Sequence, residues 1–402
     1  MEDEVSMRRR KRMRWVVGVI LVLALGLAGW VVAPVRAEDA PWRESYGGRP
    51  LCLPGVYLSD PGDCLPLGPA QRLTEWARLG LTLPPRPLPA TSPDPALNES
   101  PALIARINLP AEEPAPLYAS LEDAVAGQNP VRFIDPGPLR YVSYVEVQRV
   151  NGKPFVRLRS GEWLRASPIA YATFQGLVFH ATPTHDFGWI VDLAGPAEVR
   201  AAPGYAAPKT GTVLKRYQVV PIYTVQRVGN MDWYMIGPDQ WIERTFIRQV
   251  RVNPTPPPGV EGNRWIEVNL YDQTVAVYDG GRLVFATLIA SGGEPFYTRP
   301  GLFKIYKKKM TETMSGAFAA DRSDYYYLED VPWTMYFDEA RALHGAYWRA
   351  WFGFPQTHGC VNMSLGDAHW LFEWAHEGDW VYVWDPSGQT PTDPSLYTPG
   401  GA

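Results

Sequence analysis

A mostly β, multidomain chain is the architecture the sequence predicts, and three observations predict it. Forty prolines in 402 residues, beside 16 Trp and 21 Tyr, are too many for a helical bundle and suit strands, turns and linkers. A segment in the middle, Val147 to Ile169, recurs at Val225 to Ile247 with strand-like alternation in both copies. The last third alternates apolar and polar residues around a single helix-spaced segment. The length implies two or three domains, and 46% hydrophobic residues suffice for real cores. A formal net charge of -4 excludes a nucleic-acid binder as the role of the whole chain.

The first element, residues 1–37, is an export or anchoring segment. Basic "RRRKRMR" (Arg8 to Arg14) runs directly into the uncharged apolar stretch Trp15 to Ala33. Positive charge before such a stretch keeps the N-terminus inside and sends the remainder out, as a transmembrane or signal helix. Val35-Arg36-Ala37 offers a small-residue cleavage site, so cleaved signal and retained membrane anchor both stand. On either reading the rest of the chain works outside the cytoplasm.

Export bears on the cysteines. In residues 38–83, Cys52 and Cys64 lie in a turn-rich stretch that could close a small disulfide loop, followed by a short helical candidate, "AQRLTEWARLGL". Cys360 is then left over, and a thiol retained in an oxidising compartment suggests use. Residues 84–130 carry ten prolines between Pro84 and Pro116 and are expected to form an extended spacer.

The repeat follows, as two modules expected at 131–190 and 191–252. Val-Gln-Arg-Val, the tryptophans Trp163 and Trp241 and the closing isoleucines coincide without gaps. Strand, Gly/Asn turn, strand, turn, strand implies two small antiparallel barrels, with both tryptophans in their cores. Gly161-Glu162-Trp163-Leu164, matched by Trp241-Ile242, resembles bacterial SH3-like modules. That resemblance implies contact with cell-wall glycan or peptide, against the plainer alternative of two structural units with no ligand.

A second proline cluster, residues 253–262, leads to a domain expected at 263–386, with a tail at 387–402. "TVAVYDGGRLVFATLIASG" reads as a hairpin around an Asp-Gly-Gly turn. After Met363 the spacing becomes helical, with Ser364 and Asp367 as a capping box, Ala368, Leu371, Phe372 and Ala375 on one face, and Gly378 as terminator. "DWVYVWD" returns to strand.

Cys360 sits in "THGCVNM", directly before that helix. A thiol attacks carbonyls as thiolate, and with an ordinary pKa of about 8.5 it needs a basic or positive neighbour. His358 is two residues away, and His344 ends a strand-like run from which it can face the cysteine across neighbouring strands. The expectation is a thiol that alkylates fast near neutral pH. Gly359 permits a sharp turn, so that the amides of His358, Gly359 and Cys360 form a candidate nest for an oxyanion. A zinc site from His344, His358, Cys360, His369 and His376 lacks paired short ligand spacings, so no metal and no cofactor are expected, and His369 and His376 read as the polar face of a helix.

Taken together, His344-Gly345 and Thr357-His358-Gly359-Cys360-Val361-Asn362 resemble the signature of the L,D-transpeptidase (YkuD-type) catalytic domain. "IEVNLYDQTVAVYDGGRLVFATLIASGG", "TRPGLFKI" and "VPWTMYF" are similar to its strands, over roughly Asn263 to Trp384. "TRPG" departs mildly from the usual Thr-Pro-x-Gly. The resemblance implies a β-sandwich or barrel with one main helix. It implies Cys360 as nucleophile, His344 as general base oriented by the carbonyl of Gly345, His358 and Thr357 shaping the site, and Asn362 holding the loop by hydrogen bonds. The implied reaction is acyl transfer on peptidoglycan stem tetrapeptides, as donor and acceptor, with release of D-alanine and formation of 3→3 cross-links. Water as acceptor would make the enzyme an L,D-carboxypeptidase. An exported, non-catalytic wall-binding scaffold is the rival from another class.

Overall fold

The computed structural model describes residues 69–81, 85–192 and 195–397. The chain divides into two units, residues 1–78 and 79–402. The described part of the first is one helix, Pro69–Arg78. The expected signal or anchor helix and the Cys52–Cys64 loop lie outside the described residues. Among the described residues, no helix is long and apolar enough to cross a membrane.

The second unit is mostly β, and its centre is a pair of seven-stranded sheets. The C-terminal part supplies β1 (Trp265–Asn269), β2 (Thr274–Asp279), β3 (Arg282–Leu288), β4 (Gly301–Lys304), β5 (Lys307–Gly316), β6 (Tyr326–Asp338), β7 (Arg341–Gly345), β8 (Val361–Met363), α1 (Leu365–Trp374) and β9 (Trp380–Trp384). One sheet runs β3-β2-β1-β9-β4, with β1 and β9 parallel. The other runs β8-β7-β6, with β5 paired to β6. Ile266, Val268, Val275 and Val277 of the first sheet meet Met335, Phe337, Leu343 and Val361 of the second in one core, and Ala368 and Leu371 of α1 close it.

Local sequence explains these elements. The Asp279-Gly280-Gly281 turn joins β2 to β3 with φ of 60° and 71° at the glycines, the mirror-image turn that matches strand twist. Helix α1 starts at Ser364, whose hydroxyl accepts the Asp367 amide at 3.3 Å. It stops at an extended Ala375, and Gly378 turns the chain with φ of 98°. Asp367 does more than cap. Its carboxylate is fully buried and accepts from the Gly176 amide at 2.8 Å and the Thr287 hydroxyl at 2.5 Å.

Residues 84–130 are not an extended spacer. They hold strands Ala90–Thr91, Leu103–Ile107 and Ala115–Tyr118 and the helix Leu121–Ala126. Pro101 and Pro110 bracket the apolar run of Leu103–Ile107 rather than interrupting it. Two of these strands build onto the central sheets. Leu103–Ile107 pairs with Leu139–Tyr144, and Leu139–Tyr141 lies parallel against Tyr326–Leu328 of β6. Ala90–Thr91 pairs with Leu177–Phe179, which continues onto β3.

Each repeat copy forms its own antiparallel sheet and core. The first has five strands from Ala115 to Leu164, around Leu117, Val142, Val156 and Leu164, and so begins before the expected boundary at 131. The second has five strands from Glu198 to Glu243, plus a three-stranded sheet of Asp186–Ile190, Val219–Ile222 and Ile247–Val250. Trp163 is buried, but Trp241 is only half-buried; Trp233, 1% exposed, fills the second module instead, where the first copy has buried Phe155.

Candidate active site

The chain brings His344 and Cys360 together through strand pairing. Strands β7 and β8 are parallel neighbours, with Leu343 opposite Val361 and His344 opposite Asn362. Cys360 lies two residues before Asn362, so alternation puts its side chain on the face that carries His344 and Asn362. All three line one small pocket, with Tyr326, Leu328, Trp348, Arg349, Thr357 and His358. The thiol is 3% exposed and the imidazole 2%.

A network fixes the cysteine loop. Thr357 Oγ1 donates to the carbonyl of Cys360 at 2.7 Å and accepts the Gly359 amide at 3.1 Å. The carbonyl of Gly359 accepts from Thr298 Oγ1 at 2.8 Å, and that hydroxyl in turn accepts the Gly292 amide at 2.8 Å. Gly359 has φ of 124°, a conformation that a side chain would strain. Of the three amides expected to form a nest, that of Gly359 is committed to Thr357, because the turn folds it back into the loop. Asn362 ties the loop down through its backbone, exchanging bonds with Ala290 at 2.8 and 2.9 Å, rather than through its side chain. Its register opposite His344 sends the side chain into the pocket, and its buried Oδ1 has no protein partner.

The imidazole is oriented from below. His344 Nδ1 lies 3.1 Å from the carbonyl of Gly345; a carbonyl only accepts, so Nδ1 carries the proton and Nε2 is the basic nitrogen. A Cβ at Gly345 would lie 3.1 Å from Pro332 and 3.2 Å from Leu365, so a side chain there would push β7 off α1. Burial pushes the His344 pKa down to about 4 and the Cys360 pKa up to about 11. Burial thus favours the neutral form of both groups near pH 7, which points away from the expected thiolate that alkylates fast. Sequence spacing placed the imidazole beside the sulfur but could not report how dry the pocket is.

His358 faces the other wall. Its ring stacks on Phe318 at 4.6 Å between centroids, packs on Phe296 at 4.9 Å, and lies 4.0 Å from Asp324 Oδ2. His369 and His376 stand apart from the pocket. His369 is half-buried, stacked on Trp333 at 3.8 Å, while His376 is exposed. Among the described residues, no cluster of His, Cys, Asp and Glu has the geometry to hold a metal ion.

Residues 263–383 match the model of YkuD, the L,D-transpeptidase catalytic domain. This stretch is an L,D-transpeptidase domain. Solved structures similar to the chain include an L,D-transpeptidase of Stackebrandtia nassauensis, 26% identical over 33% of this chain and 59% of that one, with a TM-score of 0.25. The catalytic domain of an Enterococcus faecium L,D-transpeptidase acylated by ertapenem is 26% identical over 31% of this chain and all of that one, TM-score 0.28. L,D-transpeptidase 3 of Mycobacterium tuberculosis is 18% identical over 38% and 78%, TM-score 0.29. The chain thus spans little more than half the length of the Stackebrandtia protein. No curated protein matches it.

Several residues around the L,D-transpeptidase pocket escaped sequence reasoning. Leu139 comes from the upstream sheet, and Met314, Tyr326 and Leu328 come from β5 and β6. Trp348 stands 5.7 Å from His344, ring to ring. Tyr326 lies in "DYYYLED", whose aromatic run marks a strand but not which phenol faces the thiol. The second repeat module grips the loop between His344 and Cys360. Arg248 donates from Nε to the carbonyl of Gly353 at 2.6 Å and covers the Phe354 ring at 4.8 Å. The Tyr217 hydroxyl accepts the Phe352 amide at 3.1 Å.

Proposed function

We propose that this chain is a cell-envelope L,D-transpeptidase that cross-links peptidoglycan stem peptides through a thioester on Cys360. The observation that carries the reading is the pairing of β7 with β8, which puts a buried thiol and an oriented imidazole in one pocket inside the L,D-transpeptidase domain.

The neutral resting pair makes His344 a general base acting during attack rather than the partner of a standing ion pair. As Cys360 Sγ bonds to the carbonyl carbon of the third stem residue, His344 Nε2 takes the thiol proton. The amides of His358 and Cys360 receive the oxyanion, and the Tyr326 phenol, kept protonated by burial, adds a donor to that wall. The intermediate collapses, the C–N bond breaks, and His344 returns the proton to the departing amine of the terminal D-residue. An acceptor side-chain amine then attacks the thioester, loses its proton through His344, and releases the thiol with a 3→3 cross-link. The buried Asn362 Oδ1 supplies an acceptor for an N–H of the donor peptide.

The repeat modules are SH3-like units that contact glycan or peptide in the wall. The N-terminal basic and apolar segment places the enzyme outside the cytoplasm, released or held at the membrane.

The test is incubation with defined tetrapeptide muropeptides and mass analysis of products. Dimer with loss of D-alanine supports transpeptidation, and tripeptide alone supports the carboxypeptidase alternative. Unchanged substrate with wild-type protein would sink the enzymatic reading and leave the scaffold.

A further inference from the structure

The L,D-transpeptidase pocket holds one permanent cation and no carboxylate. Of the residues lining it, only Arg349 is charged at neutral pH. Its guanidinium makes two hydrogen bonds, both to Gln356: Nη1 to Oε1 at 3.1 Å and Nη2 to the backbone carbonyl at 2.6 Å. Its Nε is buried with no partner, and no Asp or Glu of the described residues pairs with it. Arg349 as a whole is half-buried, but its Nε is shut off from water, and a guanidinium N–H so placed usually meets a carboxylate or phosphate, since leaving it unpaired is costly. Its burial shows as a pKa lowered to about 10.

The position of the cation is informative. A turn closed by the Arg349 amide on the carbonyl of Ala346, at 3.1 Å, folds the chain back directly after His344 and Trp348. Arg349 lines the same pocket as His344, His358 and Cys360. The departing amine must take its proton at His344. In the donor peptide a single Cα separates that amine from the terminal carboxylate.

We propose that Arg349 is the receiver of the donor peptide's C-terminal carboxylate, making the enzyme specific for stems that end in a free acid. This rests on the L,D-transpeptidase reading given above. The guanidinium fork accepts the carboxylate with Nε and Nη donors, displacing Gln356 in part, and so seats the scissile bond between Cys360 and His344. It touches the residue that leaves and takes no part in the proton transfers.

Two donors decide the matter: a tetrapeptide stem ending in D-alanine and the same stem ending in D-alanine carboxamide. Loss of a charge-assisted fork corresponds to roughly 10- to 100-fold, so the wild type should prefer the acid by about that factor in kcat/KM, mainly through KM. In Arg349→Gln the acid-to-amide ratio should fall to within about three-fold of one, and Arg349→Lys should restore part of it, as a point charge without the fork does. The rate of Cys360 alkylation reports whether the pocket is intact in each variant. A wild type indifferent to the carboxamide, or an Arg349→Gln that loses both donors equally while alkylating normally, overturns the assignment. Failure of the underlying reading looks different, since the wild type would then process neither donor.

Discussion

Alkylation of Cys360 with iodoacetamide, followed across about pH 6 to about pH 10 in wild type and His344→Gln, tests the neutral resting pair directly. Burial lifts the thiol to about 11, opposed by a hydrogen bond from Ala342 and the charge of Arg341. Against an exposed cysteine, that leaves roughly 100- to 300-fold less thiolate at neutral pH. A more basic thiolate is intrinsically more nucleophilic, which returns about ten-fold. The net expectation is alkylation roughly 10- to 30-fold slower than a small exposed thiol, before any further loss from restricted access. The logarithm of the rate should climb with pH without levelling below about pH 9. His344, pushed down to about 4, carries no charge in this range, so His344→Gln should alter alkylation by less than about three-fold. The same substitution should cut acyl transfer by about 10²- to 10⁴-fold, because the base is needed only when the thiol attacks a carbonyl. Rates are read by peptide mapping at Cys360, so that Cys52 and Cys64 do not contribute. A plateau below about pH 7 that disappears in His344→Gln would show a standing thiolate–imidazolium pair and refute the reasoning.

Further expectations concern the frame around the pocket. Arg248→Met removes the donor to Gly353 and the cation over Phe354, and should cost about 1–3 kcal/mol in thermal unfolding, with donor KM rising more than Cys360 alkylation slows. Asp367 is raised by burial to about 6, above its unfolded value, so the stability it contributes is complete below about pH 4 and is lost as pH rises through about 6, by roughly 3 kcal/mol. Asp367→Asn should therefore unfold with a flatter pH dependence between about pH 4 and about pH 7; an equally steep profile in the variant would place the titrating group elsewhere. Expression of residues 263–386 alone should yield an aggregating or dye-binding product. It exposes the edge of β6 that Leu139–Tyr141 covers and the edge of β3 that Leu177–Phe179 covers, whereas a chain from residue 85 onward retains both. A monomeric, cooperatively unfolding 263–386 fragment would refute that view.

The sequence was most legible where chemistry is local. The glycine pair after Asp279, the Ser364 cap and the Thr357–Asn362 run each carry their structural reason within a few residues, and each lies where the spacing indicated. Legibility failed where a partner lies far along the chain. Nothing near Leu139 says that it walls a pocket with Cys360, and nothing in the ten prolines of 84–116 says that the strands between them complete two distant sheets. Asp367 looked like an ordinary capping acid, because its second bonding partners, Gly176 and Thr287, are many residues upstream. Trp241 looked like core by analogy with Trp163, yet the second module had placed a larger residue at 233 where the first has Phe155.

Those distant partners change what the upstream modules are for. Mere spacers would leave the pocket indifferent to them. Here Leu139–Tyr144, the strand that leads into the first module's Glu146–Val150, pairs with β6, the strand that carries Tyr326 and Leu328 to the pocket. The second module holds Gly353 and Phe352 in the loop whose two ends are His344 and Cys360, the same loop that carries Arg349 and Gln356. The imidazole and the thiol are therefore positioned from strands on one side and from a clamped loop on the other. A ligand that shifted either module by a fraction of an ångström would move Arg349 before it moved the paired strands, because the loop is held by a few hydrogen bonds and the strands by a full ladder. Ligand binding at the modules would then be felt first as a change in donor KM, with the intrinsic reactivity of Cys360 unaltered.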